Sequence, residues 1–368
     1  MPRIYKDLTV NDMHTDTIKT TKGIFSGGSG TLANTNMYTA SLSSSNTSYF
    51  YTVQYGTGDA ATSVFDVAYG HVYGSGSSTS DNKNASKAVY RQFANNILDP
   101  DGAKGGKFWF QASMTGSAAW TASDDIYIFS VKSDVTQDRL DGKWTLTLSG
   151  SNSNMTSSVN DSGSTLHLTN HTSSIYYEKS AVGGYYKIVS GSAGVPYTSS
   201  AVDQDVYGHF YPEISTIILS ATKMSASLGG STGYIGSGSS AGYYTGIGRG
   251  LAPDLSVDGT ADNAGKFVDI LRYSGSSVVM RTEQDINQTT YYCRMFHTEF
   301  NFTSNPTFVM SGSLLGDIKP EFVGDPTVYV TTVGLYNGSN ELIAVAKLNE
   351  PQKKNFSTEI TVAAKVDG

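Results

Sequence analysis

The amino-acid sequence predicts a mainly β protein, built of two or three antiparallel sheet or sandwich-like domains with one packed amphipathic helix. Three observations support this class: the last third of the chain reads as strands, turn-forming Gly is abundant, and a single segment has a clear helical period. The 39 Gly and 24 Tyr against 9 Pro suit β-turns and two-faced strands. Charged residues are only 15% of the chain, so uncharged polar residues must supply much of its surface.

Residues 266–368 carry the clearest strand pattern. The runs are rich in β-branched and aromatic residues, and Gly, Asn or Pro closes most of them: KFVDILRYSG, SVVMRTE, TTYYCRMFHTEFNF, TVYVTTVGLYN, ELIAVAKL and TEITVAAKV. An Asn-Gly turn at 337–340 predicts a hairpin between 328–336 and 341–348. None of these runs holds a cluster of catalytic side chains, which favours a structural part over an enzyme.

The helix is predicted at about 85–98. Asn84 suits the N-cap position, and apolar residues recur at every fourth position to form one stripe: Ala85, Val89, Phe93 and Ile97. The following Asp-Pro-Asp-Gly is a stop signal. Such a helix is expected to pack across one face of a sheet, and a partner-binding helix is the alternative. A second, short helix is predicted at 221–228.

Composition divides the chain into five segments. They are an extended N-terminal arm (1–48), an N-terminal β domain with the helix (49–123), a middle β domain (124–235), a Gly/Ser/Tyr-rich linker (236–265) and a C-terminal β domain (266–368). The arm is polar and irregular, so a tail that orders only on a partner is the alternative. In the middle segment, KWTLTLSG alternates apolar residues with Thr, which predicts a strand with one wet face.

The charge of the chain argues against two classes of partner. The net charge is −7 and the sequence pI is about 5.3. Nucleic-acid binding and docking on an anionic membrane both depend mainly on Lys and Arg. We therefore expect neither nucleic acid nor membrane as a partner. The N-terminus lacks the apolar core of a signal peptide, and Cys293, the single cysteine, is expected to be a small buried hydrophobe.

A search for chemistry yields no expected catalytic residue, cofactor site or metal site. No phosphate-binding loop or nucleophile elbow is present, and the glycines at 246, 248 and 250 do not precede a long helix. His167 and His171 are four residues apart in strand-like sequence, which is insufficient for zinc without further ligands. The acidic pairs Asp124-Asp125 and Asp99-x-Asp101 are better explained as turn residues than as a calcium site.

Tyrosine doublets are the more serious functional signal. They occur at 176–177, 185–186, 243–244 and 291–292. Adjacent strand residues face opposite sides, so one ring of each pair is expected to pack inward and the other to be offered outward. Outward rings stack on sugars or on protein partners, whereas cross-strand packing within the sheet is the structural alternative.

The chain resembles virion structural proteins of tailed bacteriophages, in particular contractile-tailed phages, including those of cyanobacteria. The resemblance is carried by FDVAYGHVYGSGS with SKAVYRQFANNILDP, by DDIYIFSVKSDVTQDRLDGKWTLTLSG, YYKIVSGSAG and YGHFYPEISTIIL, and most specifically by the C-terminal run from TEFNFTSNPTFV to TEITVAAKV. It implies a non-enzymatic virion component, in the tail baseplate wedge region, located in the virion after assembly in the bacterial cytoplasm. It supplies no catalytic residues to transfer.

The expected function is therefore to hold neighbouring subunits around the tail, with other tail proteins and copies of the chain itself as partners. The predicted interface comprises the arm and the segment 301–330. Its candidate residues are Phe302, Asn305, Pro306, Phe308, Phe322, Pro326, Tyr329, Tyr336, Tyr243 and Tyr244. The first alternative is a tail fibre or spike that binds host glycan through tyrosine faces. The second is a glycan-degrading enzyme.

Overall fold

A computed structural model gives the fold of most of the chain. It describes residues 5–25, 30–39, 50–76, 84–98, 105–132, 139–150, 164–173, 177–200, 204–228, 251–253, 255, 263–310 and 317–367. The predicted linker lies largely outside these residues, as do Tyr243 and Tyr244, the acidic pair at 99 and 101, and the glycines at 246–250.

The described residues form 21 strands and three α-helices. The strands are β1 Met13–Gly23, β2 Thr31–Ala33, β3 Met37–Thr39, β4 Phe50–Tyr55, β5 Thr62–His71, β6 Phe108–Gln111, β7 Trp120–Ser123, β8 Asp125–Val131, β9 Arg139–Leu140, β10 Thr145–Gly150, β11 Ser164–Asn170, β12 Tyr177–Ser180, β13 Gly183–Ser192, β14 Val195–Pro196, β15 Gly208–Tyr211, β16 Thr216–Ser220, β17 Ser277–Val279, β18 Arg281–Met295, β19 Val328–Tyr336, β20 Leu342–Lys354 and β21 Ile360–Asp367. The helices are α1 Asn84–Ile97, α2 Ala221–Ser227 and α3 Asn263–Arg272. The mainly β class is confirmed. None of the helices in these ranges is long and apolar enough to cross a membrane.

The chain divides into two compact units. Unit 1 comprises Met1–Thr20 and Asp285–Gly368, and unit 2 comprises Thr21–Gln284. This division differs from the five segments expected from composition, because strands from the predicted N-terminal and middle β domains share one sheet. The predicted arm is also not separate, since its described residues contain β1, β2 and β3, each paired with another strand.

Unit 2 is organised around one long antiparallel sheet. Its strand order is β2-β17-β10-β11-β13-β15-β16-β8-β5-β4-β3, with β12 and β14 also paired to β13. Strand β8 joins the two halves of the chain order, since it pairs with β16 on one side and with β5 on the other. Both faces are covered, since separate apolar clusters pack against them. This double coverage explains why strands such as β8 and β16 read as continuous apolar runs.

Helix α1 packs on one face of this sheet, as predicted. A side chain at Gly70 of β5 would come within 2.9 Å of the backbone nitrogen of Tyr90, so the helix approaches the strand too closely for a Cβ atom. Val89, Tyr90 and Ile97 of α1 are buried in the apolar cluster on this face of the sheet. The Tyr90 hydroxyl donates to the Ser123 carbonyl and accepts from the Phe108 amide, which fixes the helix to the hairpin of β6 and β7.

Two local predictions in unit 2 are wrong. The run KFVDILRYSG was expected to be a strand and lies mostly in α3, where Ala264, Phe267, Val268 and Leu271 follow the i, i+3, i+4, i+7 spacing of a buried helical face. The wet face expected for KWTLTLSG is also absent, because all six residues of β10 are buried.

The buried hydroxyls of β10 are satisfied by neighbouring strands. Thr145 Oγ1 lies 3.1 Å from Ser192 Oγ, and Thr147 Oγ1 lies 3.0 Å from His167 Nδ1. The face of β10 that carries Thr145 and Thr147 is therefore covered like the apolar face, and both hydroxyls have partners inside the protein. The predicted short helix at 221–228 is confirmed as α2.

Unit 1 is built of a narrow sheet and a two-stranded hairpin. In the sheet β18 lies between β1 and β21, and Thr15 and Thr17 of β1 bond to Thr289 and Asn287 of β18. The hairpin pairs β19 with β20 and contains two register irregularities. Its predicted first strand is confirmed, and its second strand runs six residues further than expected, to Lys354.

Candidate assembly surface

Unit 1 exposes many more large apolar side chains than unit 2 does. Among the described residues, 22 large apolar side chains are exposed, of which 17 belong to unit 1 and five to unit 2. Of the 52 buried apolar residues in the same ranges, five belong to unit 1. A unit of this size ordinarily forms a core of its own, so this excess of exposed apolar side chains makes unit 1 the candidate for an interaction surface.

The predicted interface residues divide between surface and interior. Phe302, Asn305, Pro306, Tyr329 and Tyr336 are exposed, Phe322 is half-buried, and Phe308 and Pro326 are buried. The prediction of an interface role is wrong for Phe308 and Pro326, because both side chains are buried. Tyr243 and Tyr244 lie outside the described residues, so their role stays a prediction.

Phe308 is instead the centre of a small aromatic core. Its ring stacks on Phe322 with centroids 4.7 Å apart, and it meets Phe302 edge-on at 5.6 Å. A β-bridge between Val309 and Ile318 closes the segment below these rings. The outer edge of Phe302 remains exposed, so this core holds the exposed ring in a fixed position.

A buried lysine holds the adjoining turn. Lys354 is fully buried, and its ammonium donates to the His297 carbonyl at 3.2 Å, to Asn301 Oδ1 at 2.7 Å and to the Asn355 carbonyl at 3.0 Å. All three ammonium protons thus have acceptors, as burial of the group requires. Burial lowers the pKa of Lys354, and the charges of Glu299 and Glu359 partly oppose that change.

The turn presents a row of phenylalanines, Phe296, Phe300 and Phe302, all of them exposed. Phe300 has φ 54°, a left-handed conformation that costs an aromatic residue free energy and persists only where the surroundings impose it. In the same turn, Lys6 donates to Glu299 at 2.6 Å, and its ammonium lies 4.0 Å from the Phe296 ring centroid. The hydrogen bond from Lys6 also lowers the pKa of Glu299.

A second apolar surface, the hairpin patch, lies at the tip of β19 and β20. We define it as Tyr5, Tyr336, Leu342, Ile343 and Val345, all exposed. Tyr5 meets Tyr336 edge-on with centroids 4.9 Å apart. A Cβ atom at position 334 would lie 3.0 Å from the Tyr336 ring and 3.1 Å from Leu342, so these side chains converge over the bare backbone of the strand.

Sequence reasoning missed most of the hairpin patch and two phenylalanines of the turn. Leu342, Ile343 and Val345 were expected to be ordinary strand residues of a packed sheet. The available signal was the consecutive apolar pair Leu342-Ile343 beside the Asn-Gly turn, because it breaks the alternation of a regular strand. The structure has a register irregularity at this point.

Two acidic residues of unit 2, Asp124 and Asp125, lie side by side among its described residues. Burial raises the pKa of Asp125 to about 6, and the neighbouring charge of Asp124 acts in the same direction. Asp124 itself pairs with Lys107 at 2.7 Å and lies in the bend between β7 and β8, as a turn residue would. No group of three or more His, Cys, Asp or Glu side chains within the described ranges is placed to hold a metal ion.

The histidines and Cys293 are held in ordinary polar or apolar surroundings. His167 bonds to Thr147, whereas His171 accepts from the Ser173 amide, and burial lowers the pKa of His171. Cys293 is half-buried opposite Val362 of β21, and burial raises the pKa of its thiol.

The tyrosine doublets follow the strand rule, with one difference. Tyr291 is half-buried and Tyr292 exposed, as expected for a sheet with one open face. Tyr185 and Tyr186 instead pack into the two different apolar clusters of unit 2, because that sheet is covered on both sides. Tyr176, the Tyr177 side chain and the 243–244 pair lie outside the described parts of the chain.

Comparison of the chain with protein-family models, with curated proteins and with solved structures finds no match.

Proposed function

We propose that this chain is a non-enzymatic structural component of a bacteriophage virion, in the baseplate wedge of a contractile tail, where it holds neighbouring subunits around the tail. The observation that carries the proposal is the contrast between the two units. Unit 2 has a large buried core, whereas unit 1 exposes 17 of the 22 exposed large apolar side chains found in the described ranges. The resemblance to tail proteins supplies the setting.

The two units suit different tasks in an assembly. The long sheet of unit 2, covered on both faces and crossed by α1, is a rigid body. Unit 1 carries fixed aromatic and aliphatic side chains, which is the composition of the central part of protein interfaces. The three bonds of Lys354 and the aromatic core at Phe308 hold these contacts in place before binding, which reduces the ordering cost of association.

The test is to locate the chain in intact particles. Purified virions carrying a small tag at Gly368 are imaged and reconstructed, and the radial and axial position of the label is measured. Density at the baseplate, in a ring around the tail tube, supports the proposal. A label confined to distal fibres, or absent from washed particles, contradicts it.

An adhesion module is the second candidate, favoured by three highly exposed rings. Tyr73, Tyr197 and Tyr329 are each more than 60% exposed, and Tyr197 is held edge-on by His167 at 5.7 Å. Exposed tyrosine rings of this kind stack on sugars. Binding of the purified chain on a glycan array, lost on Tyr197→Ala but retained on Tyr186→Phe, favours adhesion over assembly.

A further inference from the structure

A lysine and an asparagine lie side by side in the interior of unit 1. Lys354, at the end of β20, is fully buried, and Asn301, in the turn after β18, is 9% exposed. The Lys354 ammonium donates to Asn301 Oδ1 at 2.7 Å. Because a C=O bond is about 1.2 Å long, Asn301 Cγ lies within about 3.9 Å of Lys354 Nζ. The nitrogen is thus close to the distance of about 3–3.5 Å from which an amine attacks a carbonyl carbon.

Both side chains are held in place by the backbone around them. Asn301 Nδ2 donates to the His297 carbonyl at 2.6 Å, and the same carbonyl accepts from Lys354 Nζ at 3.2 Å. The Asn355 carbonyl accepts a further bond from Nζ at 3.0 Å. Folding therefore brings together two groups that are 53 residues apart in the chain and fixes their geometry. Such placement converts a bimolecular encounter into an intramolecular one, which accelerates bond formation.

The surroundings favour the neutral, nucleophilic form of the amine. Burial lowers the pKa of Lys354, and the charges of Glu299 and Glu359 oppose this change only in part. A lysine whose pKa is lowered by burial is an activated nucleophile. Glu299 is ionised at neutral pH, because the hydrogen bond from Lys6 lowers its pKa. Its carboxylate is therefore a base in the same turn as Asn301, and it can accept the proton that Lys354 must release.

We propose that Lys354 and Asn301 form an isopeptide bond within the chain, which ties the end of β20 to the turn after β18. Nζ attacks Cγ, the Nζ–Cγ bond forms and the Cγ–Nδ2 bond breaks, and the electron pair of the broken bond leaves with the asparagine nitrogen. Of the three ammonium protons, one stays on the new amide and two leave with Nδ2, carried by Glu299, as an ammonium ion. Nothing is oxidised or reduced, so the step needs no oxidant. The inference goes beyond the proposed assembly role and does not depend on it.

A covalent link suits a unit with a small core. Unit 1 holds five of the 52 buried apolar residues in the described ranges. A bond that closes a long loop stabilises the fold by restricting the unfolded chain, as a disulfide does. The chain has a single cysteine, Cys293, so a disulfide within the chain cannot serve this purpose. The isopeptide bond supplies the same restriction without a thiol.

The experiment is intact-mass spectrometry of the purified full-length chain. Loss of one ammonia makes the wild type about 17 Da lighter than the mass of its residues. Trypsin does not cleave after an acylated lysine, so the link joins the 354–365 peptide to the peptide that carries Asn301, and fragmentation of the branched product locates it. Lys353→Arg is the matched control, since this neighbour of Lys354 is exposed. It is expected to show the same loss of mass as the wild type.

Three further variants remove the reacting groups in turn. Lys354→Met lacks the amine and Asn301→Ala lacks the carboxamide, so both are expected to keep the full mass of their residues and to give no branched peptide. Glu299→Gln replaces the proton carrier by an amide of similar shape. After cell-free synthesis, its loss of ammonia is expected to be roughly 100-fold slower than that of the wild type, measured as the linked fraction over time.

The proposal is overturned by a wild type that keeps the full mass of its residues. A loss of ammonia that persists in Lys354→Met overturns it as well, as does a loss that maps to one asparagine alone or to Lys187 and Gln111, another buried lysine and carboxamide in contact, at 2.9 Å. Equal rates in Glu299→Gln and the wild type reject Glu299 as the proton carrier. Because the wild-type mass decides the matter by itself, a variant that fails to fold leaves the test intact.

Discussion

Replacement of Asp125 by Asn is expected to stabilise unit 2 at neutral pH and to flatten its pH dependence. Burial raises the pKa of this carboxyl from 3.8 to about 6 in the folded protein, and a backbone hydrogen bond only partly opposes the rise. Below about pH 4 the group is protonated in both states and contributes nothing. Between pH 4 and 6 the unfolded chain loses its proton first, so stability falls as the pH rises. A shift of roughly two pK units corresponds to about 3 kcal/mol lost above pH 6.

The assay is urea unfolding at a series of pH values between 4 and 8, followed by tryptophan fluorescence. All three tryptophans, Trp109, Trp120 and Trp144, belong to unit 2, so the signal reports on that unit. Asp125→Asn is expected to exceed the wild type by up to about 3 kcal/mol at pH 8 and to match it near pH 4. Asp124→Asn is the control, since this exposed neighbour is expected to leave most of the slope in place. Parallel curves for Asp125→Asn and the wild type would refute the argument.

Three other substitutions test the packing. Lys354→Met leaves buried acceptors in the 297–301 turn without a donor, so unit 1 is expected to lose roughly 2–4 kcal/mol of its free energy of unfolding. The loss is measured as faster proteolysis at that turn, and Lys353→Met, a change at the exposed neighbour, is expected to leave the rate unchanged. Phe308→Ala removes the central ring of the small core and should cost about 3–5 kcal/mol by the same readout; an unchanged cleavage rate would contradict the packing. Gly208→Ala places a methyl group against the Ile218 carbonyl of the next strand and is expected to lower the melting temperature of unit 2.

The fold class, most strand positions and helix α1 follow from local sequence pattern. Val89 and Ile97 were placed on the buried side of α1 from their spacing alone, and the Asn-Gly turn located the hairpin of β19 and β20. These features depend on residues close together in the chain, so a single sequence contains them. The helix α3 could also have been found, because Ala264, Phe267 and Leu271 carry its period.

The candidate surface was only partly within reach of sequence reasoning. Phe302, Tyr329 and Tyr336, which the sequence places at an interface, have exposed side chains, whereas Phe308, predicted with them, is buried. In a polar segment that contains prolines, the sequence around a phenylalanine is the same whether its ring is exposed or packed between two other rings. Only the positions of Phe302 and Phe322 around it decide which applies.

By itself the sequence determined that this protein is a set of antiparallel strands with few charges, because side-chain alternation and turn residues act over short stretches of chain. The tertiary structure decided which strands are covered twice and which are left open. That distinction depends on contacts between distant segments: β10 is buried because β11, β17 and α3 surround it, while Ile343 and Val345 are exposed because no described segment lies over them. Burial is a property of neighbours, and neighbours far apart in the chain are fixed only when it folds.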